Sequence, residues 1–222
     1  MLLNNLFELG CKHQTDKTTH FFLHHYDRIL NDLRDLPIRL LEIGVFRGAS
    51  IKMWREYFPK AEIHCIDIHK IDISTVKDVT LHNVDCDDEI SLTNLANMLG
   101  NFDVVIDDGG HTMRQQQNAL KAFWPYVKNN GIFIMEDMHT SLGHLYPSYN
   151  AEKQPTTYEL IDCLRKKTAF SSSFINESEY QKILKDIKRV EIIWSKRILS
   201  SDITDNPKDE ENVSITSFLQ KV

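Results

Sequence analysis

The sequence holds only four cysteines, Cys11, Cys65, Cys86 and Cys163, and no Cys-x-x-Cys pair. That spacing does not suit zinc. Cys65 sits inside an apolar strand pattern and reads as a reduced core thiol. No apolar run approaches the ~20 residues of a membrane-spanning helix. Met1-Leu-Leu-Asn-Asn-Leu6 lacks the basic region and long apolar core of a signal peptide, so the reading is a cytoplasmic protein. Positive charge is not in excess: 26 Lys and Arg face 32 Asp and Glu, a net charge of -6. That argues against broad non-specific binding of nucleic acid, although a local basic patch is compatible with it. There is no internal repeat and no low-complexity tract. What remains is 222 residues, 41% hydrophobic and 26% charged, which suit a single α/β domain over 1–222 with a sizeable core.

Short apolar runs alternate with helical patterns. Residues 1–35 read as an N-terminal helical cap, with Phe22, Tyr26, Ile29, Leu30 and Leu33 on one face before Pro37 stops the helix. Strands follow at Ile38–Ile43, Ala61–Ile68, Thr80–Val84, Phe102–Ile106 and Gly131–Met135. Between them lie helices with Ile51, Trp54 and Phe58, with Leu92, Leu95, Met98 and Leu99, and with Gln116, Leu120, Phe123, Trp124 and Val127. Asn129-Asn130-Gly131 reads as the C-cap of that last helix. This alternation predicts a parallel sheet with right-handed crossovers. Residues 138–156 read as a long loop over the rim of the sheet, whose Tyr146 and Tyr149 either cover a ligand bound there or serve loop packing. Helices are expected near 157–167 and 178–185. Arg189–Trp194 and Arg197–Asp202 read as a hairpin turning at Ser195-Lys196. Residues 203–213 are acidic and polar and read as mobile.

Two acid pairs, Asp107-Asp108 and Glu136-Asp137, end buried strands. Ligands of open α/β sheets bind beyond the carboxyl ends of the strands. Crowded carboxylates repel unless a cation or a proton joins them. Asp108, Glu136 and Asp137 are hard oxygen donors suited to Mg²⁺, Mn²⁺ or Ca²⁺; helix capping explains one such acid more easily than four. His111, three residues after Asp108, is a candidate general base, and His139 is a second candidate or an acceptor contact. Gly44 and Gly48 lie in a strand-to-helix turn that either admits a ligand or serves packing alone. Phe46 stands where a dinucleotide fingerprint needs its second glycine, which favours a cofactor without pyrophosphate. Asp67 is placed to bind ribose hydroxyls or to act as a helix N-cap. Asp85 is placed for an adenine amine, with Asp87 and Asp88 competing for the role.

Leu40-Leu-Glu42-Ile-Gly44-Val-Phe-Arg-Gly48-Ala-Ser50, Phe102-Asp-Val-Val-Ile-Asp107-Asp108-Gly-Gly-His111-Thr112 and Ile134-Met-Glu136-Asp137-Met-His139-Thr-Ser141 resemble class I S-adenosylmethionine-dependent sugar O-methyltransferases. Similarity is greatest to the macrocin, mycinamicin and rhamnosyl group, and Thr15-Asp16-Lys17-Thr-Thr-His20 with Tyr26 also looks like it. The resemblance implies a Rossmann-like, seven-stranded, mostly parallel sheet with an antiparallel last strand and helices on both faces. It implies S-adenosylmethionine contacts at Glu42, Gly44 and Asp67, to which the residue reading adds Gly48, Asp85 and Asp107. It implies Mg²⁺, or Mn²⁺, held by Asp108, Glu136 and Asp137, with His111 as base. Members acting on macrolides are longer and carry an extra N-terminal domain. The expected activity is metal-dependent methylation of a sugar hydroxyl in a small-molecule or glycan acceptor, by a monomer or a homo-oligomer. Its rivals are methylation of a catechol or small diol, and a non-catalytic cofactor-binding protein.

Overall fold

The computed structural model describes residues 5–143, 145–196 and 213–222. Its strands are β1 (Arg39–Ile43), β2 (Glu62–Asp67), β3 (Val79–Asn83), β4 (Phe102–Asp107), β5 (Val127–Met135), β6 (Ile187–Lys196) and β7 (Val213–Lys221). They form one seven-stranded sheet in the order β3-β2-β1-β4-β5-β7-β6. The first five run parallel, and β7 is antiparallel to both β5 and β6. The helices are α1 (Leu6–His13), α2 (Phe22–Leu30), α3 (Ala49–Tyr57), α4 (Glu89–Leu99), α5 (Met113–Phe123), α6 (Tyr146–Tyr149), α7 (Thr157–Lys166) and α8 (Glu177–Lys185).

Period-2 alternation divides each strand between two cores. Leu40, Val104, Ile106, Ile132, Ile134 and Phe218 pack with α1, α2 and α3, through Leu9, Phe22, Tyr26 and Trp54. Leu41, Ile43, Val105, Phe133, Met135 and Leu219 pack with α4, α5, α7 and α8, through Leu92, Leu120, Leu160 and Tyr180. Helices therefore cover both faces. Met98, expected with the apolar side of its helix, is 69% exposed.

Three local readings need correction. Pro125 ends the helical path in a 3-10 turn (Trp124–Tyr126), so Val127 already belongs to β5. Asn129-Asn130-Gly131 then lies inside that strand, where the register jumps from Phe102↔Val127 to Val104↔Ile132. Ser195-Lys196 is not a turn, because both residues pair with Ser214 and Val213 of β7. Residues 197–202, and the stretch 203–212, lie outside the described residues; Val213 opens β7. The 138–156 segment is partly helical, with a 3-10 turn at Met138–Ser141 and the single turn of α6, which carries Pro147 near its start.

The strand register builds the functional rim. Ile43 pairs with Asp107, and Asp107 with Met135. One residue further on, Gly44, Asp108 and Glu136 leave the sheet side by side, with the Asp108 amide donating to the Ile43 carbonyl at 2.8 Å and the Glu136 amide to the Asp107 carbonyl at 2.9 Å. Gly44 has φ +90, and a Cβ there would stand 1.9 Å from the Asp108 carbonyl oxygen. Gly44→Ala therefore combines left-handed strain with overpacking and should cost about 2–5 kcal/mol. A thermal melt should show this as a fall in Tm of more than ~5 °C.

Candidate active site

A cavity of about 620 Å³ opens at this rim. Its walls come from the β1–α3 turn, the ends of β2 and β4, and Thr15 and Asp16 of the N-terminal segment. Gly44, Asp67 and Asp85 line it, as do Asp108, His111 and Asp137. Glu42, Gly48 and Asp107 are not among its lining residues. Glu42 is fully buried beneath the turn and accepts a 2.8 Å hydrogen bond from Ser50. Gly48 sits in left-handed conformation (φ 74) at the N-cap of α3. Asp107 is one residue out of phase with Glu42 and Asp108, so the pleat sends it toward the opposite face. There its Oδ2 has no hydrogen-bond partner, and burial pushes its carboxyl up to about 8. Asp67 is occupied locally: Oδ2 accepts from the Val45 and Phe46 amides at 2.9 and 3.2 Å, and Oδ1 from the His69 amide at 2.8 Å. Asp85 likewise caps its own turn through the Asp87 amide. Phe46 has φ 50 and is 75% exposed at the mouth of the cavity.

On the cavity wall, Asp108, His111 and Asp137 each offer one ligand atom, all within 4.8 Å of one another. His111 Nε2 lies 3.5 Å from Asp137 Oδ2, and His111 Nδ1 makes no hydrogen bond. Both residues hold left-handed backbone, φ 61 and φ 53, a strained state that clusters at functional sites. The turn is anchored by Thr140, whose hydroxyl donates to the His111 carbonyl. His20 Nδ1 and His139 Nδ1 stand 3.2 and 3.6 Å from Asp137 Oδ1. Burial would raise the Asp137 carboxyl, but the adjacent His20, His111 and His139 imidazoles hold it well below the usual carboxylate range.

Two residues with no assigned role in the sequence reading complete the site. Glu42, Asp108 and Glu136 occupy equivalent pleat positions and all face the N-terminal helices. From that side Lys17, 1% exposed, brings Nζ to 2.5 Å from Asp108, 2.7 Å from Glu136 and 3.3 Å from Glu42. Tyr26 donates to the same Glu136 oxygen, Oε1, that Lys17 holds. Burial would lower the Lys17 ammonium, but the three carboxylates raise it well above its ordinary value. Glu42, Asp108 and Glu136 are all pushed upward, first by burial; repulsion adds to it, from Asp108 on Glu42, from Asp137 on Asp108, and from Asp108 and Asp137 on Glu136, against the pull of Lys17. One ammonium leaves this cluster short of positive charge. A buried lysine leaves no apolar signature in sequence. The usable signal was the demand for a counter-ion beside three strand-end acids.

The residues present fit both implied groups. Gly44 lines the cavity with backbone alone, although glycine is already required there because a Cβ would strike the Asp108 backbone. The Asp108, His111 and Asp137 donors suit a hard or borderline divalent ion.

Residues 41–138 match the family described as a methyltransferase domain. Among curated proteins, the chain is 31% identical over 196 residues to mycinamicin VI 2''-O-methyltransferase of Micromonospora griseorubida, covering 83% of this chain and 47% of that protein. It is 36% identical over 149 residues to 8-demethyl-8-(2-methoxy-alpha-L-rhamnosyl)-tetracenomycin-C 3'-O-methyltransferase of Streptomyces olivaceus, covering 62% of this chain and 37% of that protein. Among solved structures, the MycE methyltransferase of the mycinamycin pathway, in complex with Mg, SAH and mycinamycin VI, superposes with a TM-score of 0.74 at 26% identity, covering 99% of this chain and 55% of that one. The chain thus spans about half the length, or less, of these relatives. With the strand order β3-β2-β1-β4-β5-β7-β6, these matches give the chain the Rossmann-like fold of the class I methyltransferases and a clear similarity to their sugar O-methyltransferases.

Proposed function

We propose that this protein transfers a methyl group from S-adenosylmethionine to a sugar hydroxyl in a metal-dependent reaction. The observation that carries the reading is the convergence of Asp108, His111 and Asp137 on the cavity wall. The sugar O-methyltransferase names of the relatives support the choice of acceptor. The acceptor class is a polysaccharide, a glycoconjugate or a glycosylated natural product.

S-adenosylmethionine is the co-substrate, and its sulfonium makes the methyl group electrophilic. The backbone at Gly44 would form part of the wall for it, Asp67 would offer a carboxylate to the ribose, and Asp85 a contact to the base. Asp108 and Asp137 would hold the ion; Glu136, expected as a third carboxylate, is instead held by Lys17 and Tyr26 and lies outside the group of three. Bound Mg²⁺ would acidify and orient a hydroxyl and its vicinal neighbour. The chain's own part is proton removal. An alcohol is a weak nucleophile at neutral pH, and His111 Nε2, at the cavity wall, takes the hydroxyl proton. The oxygen bonds to the methyl carbon, the carbon–sulfur bond breaks, and the demethylated thioether leaves with the electron pair. Since His111 also stands within the group of three, a second reading makes it a metal ligand instead of the base.

Cofactor binding is tested separately from chemistry. Calorimetry with S-adenosylhomocysteine should show saturable binding. Asp67→Ala should weaken that binding roughly ten- to hundredfold, because charge-assisted hydrogen bonds organise the turn and the ribose contact. Saturable binding of a nicotinamide dinucleotide, with none of the thioether, would overturn the assignment.

A further inference from the structure

We propose that Lys17 is the fixed second cation of a two-cation centre, its ammonium standing where a second divalent ion would otherwise bind. The inference rests on the metal-dependent reading of the site and extends it to a residue from outside the rim. Lys17 Nζ lies within 3.3 Å of oxygens of Glu42, Asp108 and Glu136, delivered by three adjacent parallel strand ends. Three carboxylates around one point form a ligand set for a hard divalent ion. Glu42 Oε1 is buried, makes no hydrogen bond, and has only this ammonium as its ion-pair partner among the described residues. Asp108 belongs both to this group and to the group with His111 and Asp137. It therefore links the two cation positions as a shared carboxylate links paired ions in two-metal sites. Burying a lysine among acids is a poor route to stability in itself. Here it keeps the centre at one exchangeable ion and fastens the N-terminal segment over it. That segment, Thr15 to His20, also supplies cavity wall at Thr15 and Asp16 and the His20 imidazole beside Asp137.

The test is the stoichiometry of Mn²⁺ binding, followed by electron paramagnetic resonance in the wild-type chain and in Lys17→Ala. S-adenosylhomocysteine calorimetry on both serves as a check of folding. The wild type should bind one equivalent, and Lys17→Ala should bind a second. One equivalent in both proteins, or two in the wild type, overturns the proposal. No Mn²⁺ in the wild type sinks the metal reading itself. If Lys17→Ala fails to bind the thioether, wild-type crystals grown with Mn²⁺ decide. One anomalous peak beside Asp137, with Nζ still on Asp108 and Glu136, supports the proposal. A peak between Glu42 and Glu136 with Lys17 withdrawn overturns it.

Discussion

His111→Ala should lower the turnover number by roughly 10²–10⁴, the usual weight of a general base. The Michaelis constant for S-adenosylmethionine should barely move, because the wall proposed for the cofactor is the turn after β1 and the ends of β2 and β3. Mn²⁺ affinity separates the two roles open to this imidazole. As base, its loss leaves both carboxylates of the group on the ion and should change affinity by less than about tenfold, a 1.4 kcal/mol effect. As ligand, its loss should abolish tight binding. An unimpaired variant would remove His111 from the mechanism under either role. The geometry allows both, since Nε2 is 3.5 Å from Asp137 while Nδ1 is without a hydrogen bond.

Chelation should have a still larger effect and abolish turnover outright. Asp108→Asn and Asp137→Asn should each behave likewise at ordinary Mg²⁺ concentrations, since each removes a charged hard donor from a small ligand set. Binding of S-adenosylhomocysteine should survive chelation, because Gly44, Asp67 and Asp85 do not belong to the group of three. A folded-state ligand at about 100 times its dissociation constant adds about 2.7 kcal/mol. Mg²⁺ should therefore raise Tm by roughly 5–10 °C in a chain of this size. No shift in Tm and full activity in excess chelator would take the metal out of the reaction.

The sequence carried the first five strands because most are apolar runs closed by a turn signal, the more polar β3 (Val79–Asn83) falling in step with them, and their ends carried the acids. It did not carry β7. Val213-Ser-Ile-Thr-Ser-Phe-Leu-Gln-Lys221 looks too polar for a strand inside a sheet, yet Ser214, Thr216 and Ser217 are fully buried. Two of those hydroxyls are satisfied, Ser214 against His20 and Thr216 by donating to the Met135 carbonyl. Hydrogen bonding across the sheet offsets a polarity that reads as solvent exposure. The acid rim was legible as chemistry but not as geometry. Strand phase sends Glu42, Asp108 and Glu136 to one face and Asp107 to the other, and a one-residue difference in phase decides which acids meet. Lys17 was visible only as part of a resemblance and Tyr26 otherwise only as part of an apolar helix face, because nothing in their local pattern places either against Glu136.

The central claim is transfer of a methyl group to a sugar oxygen under control of a divalent ion. Its most direct measurement incubates the purified protein with S-adenosylmethionine, Mg²⁺ and a panel of nucleotide sugars, oligosaccharides and glycosides, with mass detection of one added methylene. The expected result is an O-methylated product from an acceptor with vicinal hydroxyls, lost on chelation and slowed when the neighbouring hydroxyl is deleted. A product methylated on nitrogen or carbon, or O-methylation indifferent to the metal, would contradict it.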